Sequence, residues 1–276
     1  NMSKALFRSH NKVGETMSFQ TNSPNAAVFE TEVMMGGGAR PSWDLGEGSG
    51  YTASTSVSYT YPDTTLKTVT IRTNKLSNLG SFRALDNNIV GHLDMSGWDN
   101  LWDPSTGVYF ASLQFDVGRN SELTGVTHTS SPYKPYLYSV SDCDITGHLD
   151  LSMFPNMGGF IYLHGNSKLS GVTFHSQCFE IVNRFFIANC DIQGNLDLTM
   201  FPNFGTFLSF NGNDNLTGIT HTASSRDVHW YTSSPAIIGT HDMTWYTLRG
   251  TFAMNSNPNL NYILHSPSVE SFGIYR

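Results

Sequence analysis

Short apolar pairs recur along residues 80–276 at a spacing near 23, and a chain with that period can bury its apolar side only by stacking turns on one another. The pairs are Phe82/Ala84, Phe115/Val117, Tyr138/Val140, Ile161/Leu163, Phe185/Ile187, Leu208/Phe210, Val228/Trp230, Phe252/Met254 and Phe272/Ile274. After a first gap of 33 residues, the gaps from Phe115 onward are 23, 23, 24, 23, 20, 24 and 20. Members of each pair are two residues apart and so share one face of an extended strand. A coarser period overlays this one. Ile89–Met95 returns as Ile145–Leu151 and Ile192–Leu198, with a worn copy from Ile238 to Met243. Between them, Asn120–Thr127 returns as Asn166–Thr173, Asn213–Thr220 and Asn257–Ile263, so coils alternate between two types with a joint repeat of 46–47.

Charged residues make up only 13% of the chain, whereas Ser, Thr, Asn and Gly are plentiful, which favours strands and turns with weakly charged surfaces. That balance is expected of extracellular, cell-surface or virion proteins. A net charge of -7 without a Lys/Arg cluster argues against a nucleic-acid partner. There is no run of 18 apolar residues, so no membrane span is expected. The first eight residues lack the apolar core of a signal peptide, which leaves removal of an export signal or delivery by assembly. Cys143 and Cys190 occupy equivalent places two coils apart, roughly 10 Å at strand spacing, beyond disulfide reach; free buried thiols are expected.

Residues 15–74 read differently, as apolar or alternating runs at Thr16–Gln20, Ala27–Val33, Thr55–Tyr61 and Leu66–Arg72 between turn residues. Within them, Trp43-Asp44-Leu45-Gly46-Glu47-Gly48, Val57-Ser58-Tyr59-Thr60-Tyr61-Pro62 and Lys67-Thr68-Val69-Thr70-Ile71 appear in order. Together they resemble the PKD domain, an immunoglobulin-like sandwich, with Leu45 and Glu47 in place of its usual Phe and Asp. The resemblance implies Trp43 in a core, turn geometry at Gly46 and Gly48, and a spacer or adhesion role. Asp44 and Glu47 could contribute oxygens to Ca2+, or simply cap a tight turn.

The segments Ile187-Ala188-Asn189-Cys190-Asp191-Ile192-Gln193-Gly194 and Leu163-His164-Gly165-Asn166-Ser167-Lys168-Leu169-Ser170-Gly171 resemble leucine-rich repeats over about 200 residues. The inward Asn120, Asn166, Asn213 and Asn257 are expected to satisfy buried backbone, with Cys143, Cys190 and Asn87 in the equivalent place. Interior leucines are often replaced by Phe, Ile or Val, and Met153–Asn156 and Met200–Asn203 contain Pro. Turns rather than helices are therefore expected there. The expected architecture is mainly all-β: an arm over 1–14, a PKD-like β-sandwich over 15–74, and over 75–276 a leucine-rich-repeat-like parallel β-solenoid of about nine coils with little helix. The insertion around Trp98–Gly107 carries Trp98 and Trp102 and is expected to pack on the junction at Lys75–Leu79.

Asp94, Asp150, Asp197 and Asp242 recur with the double repeat, as do His92, His148 and His241; a second column runs His128, His175, His221 and His265. Members of one column lie two coils apart, roughly 10 Å, too far for one metal ion, so polar ladders are expected instead. No nucleophile, zinc or nucleotide motif occurs, so no catalytic residue or metal ligand is assigned. Alternation along the strands turns Tyr162, His164, Arg184, Phe186, Phe207, His229 and Tyr231 outward, as an aromatic and polar face suited to a protein or glycan. The expected function is non-enzymatic adhesion or structure on a virion or bacterial surface, with cell-surface glycan or protein, or other virion subunits, as partner. The final pair, with no polar cap after it, allows a homo-oligomer. The alternative is a carbohydrate-active enzyme on the same scaffold, which would need acids gathered on one face.

Overall fold

The computed structural model describes residues 15–22, 28–35, 41–48, 50, 52–73, 79–98, 101–102, 113–222, 227–233, 236–244, 247–254 and 257–265. Within them the chain is all-β, without helix. Each repeat contributes one front and one back strand. The front strands are β7 (Leu79–Arg83), β9 (Gln114–Asp116), β11 (Leu137–Ser139), β13 (Gly159–Tyr162), β15 (Val182–Phe186), β17 (Phe204–Ser209), β19 (Asp227–Ser233) and β21 (Thr247–Met254). The back strands are β8 (Ile89–Met95), β10 (Glu122–His128), β12 (Thr146–Leu151), β14 (Lys168–Phe174), β16 (Gly194–Asp197), β18 (Leu216–Thr220), β20 (Gly239–Met243) and β22 (Leu260–His265).

All front strands are hydrogen-bonded in parallel in one sheet, in chain order. Six of them, β9 to β19, have a parallel neighbour on both sides, which makes a parallel β-solenoid of about six turns. The back strands pair in twos, β8 with β10, β12 with β14, β16 with β18 and β20 with β22. That pairing gives the two-coil sequence period a structural counterpart.

The preceding strands are β1 (Glu15–Thr21), β2 (Val28–Met35), β3 (Ser42–Asp44), β4 (Thr52–Ala53), β5 (Ser56–Thr60) and β6 (Lys67–Thr73). They extend both solenoid sheets: β2 and β5 continue the front sheet beyond β7, and β1, β6, β3 and β4 continue the back sheet beyond β8, all antiparallel. Apolar burial runs on without a break, with Phe19 meeting Phe82 edge-to-face and Trp43, Val69 and Ile71 in the same core. The insertion's tryptophans turn inward, and their expected packing surface, the junction at Lys75–Leu79, lies outside the described residues but for Leu79. Trp98 packs on Phe82, and Trp102 reaches Tyr138 and Phe154. Burying two large indoles explains why the first gap could lengthen without leaving a void.

The apolar pairs from Phe82 to Phe210, and Phe252/Met254, are buried as expected. Val228/Trp230 is not a pair: Trp230 is 42% exposed, and Tyr231 and Ser233 are buried in its place. Phe272/Ile274 lies outside the described residues, as do Lys75–Ser77 and the 1–14 arm.

The corners after front strands β7 to β17 share a repeated solution. Asp86, Arg119, Asp142, Gly165, Asn189 and Gly212 all adopt positive φ and are each followed by the inward Asn or Cys. Asn166 Oδ1 accepts from the Ile145 N–H at 3.0 Å, while its Nδ2 donates to Val140 O and Leu163 O at 2.9 and 2.7 Å. Asn120 and Asn213 repeat this arrangement. In the alternate coils, Cys143 and Cys190 donate their thiols to Val117 O and Leu163 O at 3.3 Å. All three cysteines are free and buried, and burial pushes the Cys143 thiol up to about 12 and that of Cys190 to about 11. At pH 7 they are inert thiols.

Candidate functional site

Parallel pairing sets equivalent residues of successive front strands side by side, so the outward face consists of columns. One column runs Leu137, Phe160, Arg184, Phe207, Trp230 and Thr251; the next runs Ser139, Tyr162, Phe186, Ser209, Thr232 and Ala253. Tyr162, Arg184, Phe186 and Phe207, all expected on this face, come together in adjacent coils. His164 lies at the end of the patch, its ring edge-on to Tyr162 and Phe186 at 6.0 and 6.1 Å.

The rings are stacked plates. Tyr162 and Phe186 sit directly opposite one another with centroids 5.2 Å apart and planes 19° apart, too close for rings lying side by side. Phe160 lies parallel to Tyr162, with 6° between their planes. Ring normals therefore follow the solenoid axis, and ring edges rather than faces meet solvent. In the first column the Arg184 guanidinium lies between Phe160 and Phe207, its carbon 5.2 and 4.9 Å from the two ring centroids. Its Nη1 also donates to Tyr162 Oη at 3.4 Å. A hydroxyl and amide cluster continues the second column, where Ser209 Oγ donates to Asn211 Oδ1 at 2.8 Å and lies 2.8 Å from Thr232 Oγ1.

His164 Nε2 stands 3.8 Å from Asp142 Oδ2. Burial lowers the His164 pKa from its usual value, and the nearby Asp142 charge opposes that shift only in part. At neutral pH the ring is uncharged and the patch keeps Arg184 as its cation.

Two expected members fall elsewhere. Tyr231 faces inward, between Leu208 and Phe252 in register, and its hydroxyl is 2.8 Å from His241 Nε2. His229 is exposed but sits in the bulge between Val228 and Trp230, outside both columns. The residues missed by sequence reasoning are Phe160 and Trp230. Phe160 was legible from parity, two positions before Tyr162. The signal for Trp230 was the uneven gaps of 20 and 24, which become 23 and 21 once Tyr231 replaces Val228 as the inward residue.

The polar ladders are structural. Asp94, Asp150, Asp197 and Asp242 each accept from the N–H two residues on, at 2.9 Å, and so close the turn after a back strand. Bonds from Ser96 and Ser152 hold the Asp94 and Asp150 carboxyls below their ordinary pKa. His92 and His148 bond Thr127 and Thr173 of the paired coil at 2.6 and 2.5 Å, and Asn195 does the same to Thr220. His241 does not belong with them: Thr240 is opposite Tyr262 as His148 is opposite Gly171, so His241 takes the buried leucine position. Similarly, Phe174 rather than His175 holds the place of His128 and His221. His265 shares that register, but its side chain lies outside the described residues. Asp44 Oδ1 accepts from the Gly46 N–H, and Glu47 pairs with Lys67 at 2.6 Å, so both carboxylates have protein partners. Among the described residues, no three His, Cys, Asp or Glu side chains converge as metal ligands, and no helix is long and apolar enough to cross a membrane.

No protein-family model, curated protein or solved structure matches this chain.

Proposed function

We propose that this chain is a non-enzymatic adhesion or structural protein of a virion or bacterial surface, in which a PKD-like unit leads into a leucine-rich-repeat-like solenoid whose front face binds glycan. The observation that carries the reading is the pair of outward columns centred on Phe160, Tyr162, Arg184, Phe186 and Trp230. A repeated rung about every 4.8 Å suits a polymer with a unit of comparable length better than the irregular surface of a folded protein. Hydroxyls, an amide and ring edges offer hydrogen bonds and weak C–H contacts to an oxygen-rich ligand. The low charge content supports the surface setting.

Glycan arrays probed with wild type and with Tyr162→Ala, Phe186→Ala and Trp230→Ala test this reading. Retention on a defined set of glycans, lost in at least two variants that keep the wild-type melting curve, is expected. No retention, or retention indifferent to all three changes, overturns it. Retention only on glycoprotein, surviving deglycosylation, would assign the face to a protein partner.

A further inference from the structure

Between β11 and β19 the two outward columns contain ten residues, and Arg184 is the one formal charge among them. Among the described residues it forms no ion pair; its contacts are the two flanking rings and the Tyr162 hydroxyl. A half-buried guanidinium without a carboxylate is costly, and stacking on Phe160 and Phe207 recovers only part of that cost. The two rings flank the guanidinium and the Tyr162 hydroxyl accepts from Nη1, so the position of the group is held by three neighbours while its other N–H groups remain to be satisfied.

A fixed guanidinium edge matches a planar oxyanion with two parallel hydrogen bonds. The surrounding plates act in the same direction, because aromatic ring edges carry the positive end of the quadrupole. Arg184 is thus the cation of these columns on a chain of net charge -7, and the nearby Asp142 carboxylate lies beyond His164 at the end of the patch. Resting on the glycan reading above, we infer that the front face selects acidic glycans, with Arg184 taking the carboxylate of a uronic or sialic acid unit while Tyr162, Ser209 and Thr232 face neighbouring hydroxyls. Ordering before binding lowers the entropic cost of fixing the guanidinium, so the acid group adds affinity without rearrangement.

The test uses the whole chain on an array of neutral and carboxylate-bearing oligosaccharides, followed by titration of the best acidic ligand and its methyl ester. Carboxylate-bearing glycans should dominate, and esterification should weaken binding by about 10- to 100-fold, the range of a charge-assisted bond. Arg184→Met, which keeps an unbranched side chain between the two rings, should lose the same factor for the acid and weaken binding of the ester much less. Arg184→Lys should fall between, because it keeps the charge and loses the fork. Wild-type affinity should drop as salt is raised, and that of Arg184→Met should not. Preference for neutral glycans, with Arg184→Met and the ester both indifferent, overturns the inference and leaves the glycan reading standing. Absence of any glycan retention overturns the reading itself.

Discussion

A single inward side chain sets the shape of each corner. Asn166 answers three backbone groups that the turn removes from both sheets, and it is fully buried, so water does not replace it. Asn166→Ala leaves one N–H and two carbonyls without those partners. At about 1–3 kcal/mol for each unsatisfied group, a loss of about 3 kcal/mol or more is expected from urea unfolding. Asn215→Ala, which removes an exposed bond to Asp191, should stay within about 0.5 kcal/mol. A loss at Asn166 no larger than that at Asn215 would show that water enters the corner. These asparagines were legible because they recur at fixed distance from an apolar pair and have no other reason to be there. The residue before each inward Asn or Cys was harder to read: Asp142 and Asn189 take the same left-handed backbone as Gly165 and Gly212, and only the glycines announce it.

At the level of elements, the unit is a pair of coils. His148 lies across Gly171 of the next coil, where an added Cβ would come within 2.6 Å of its Nδ1, and bonds Thr173 beyond it. Asn195 lies in the same way over Gly218. Alternation of coil types therefore follows from contact between them: one coil supplies the flat polar side chain, and its partner supplies the space. Gly171→Ala should displace the ring, break the Thr173 bond and cost about 1–2 kcal/mol. Adding His148→Ala should recover most of that loss, and the coupling is read from a double-mutant cycle by urea denaturation. Strict additivity would mean that the ring and the glycine do not interact. The same scale explains where sequence reading failed. Spacing located every described front strand, yet a bulge in β19 flipped the parity of Trp230 and Tyr231, since a one-residue slip exchanges the two faces of a strand. The off-by-one placing of His241 and His175 has another origin: matching by residue type passed over spacings from Gly239 and Asn166 that are one residue longer than in the other copies.

The molecule as a whole carries an acid sensitivity in its core. His128 and His221 are buried among aromatic rings, and burial holds both pKa values down at about 3; burial likewise holds His241 at about 4. In the unfolded chain these groups protonate near 6.5. Between those values the unfolded state binds more protons than the folded state, so their stabilising contribution is complete above pH 6.5 and is lost as pH falls. At pH 4.5 each costs on the order of 2–3 kcal/mol, so together they take a large part of the stability of an ordinary domain. The turn carboxylates Asp94 and Asp150 are held below their ordinary range and protonate only beneath this window. Loss of near-ultraviolet circular dichroism is therefore expected between about pH 6 and 4.5, ahead of carboxylate titration. Phe174 occupies the place of His221 two coils earlier, so His221→Phe copies a side chain the fold already accepts. That variant should shift the acid midpoint downward and leave stability at pH 8 nearly unchanged. An unmoved midpoint would transfer the acid sensitivity from the buried histidines to the surface carboxylates.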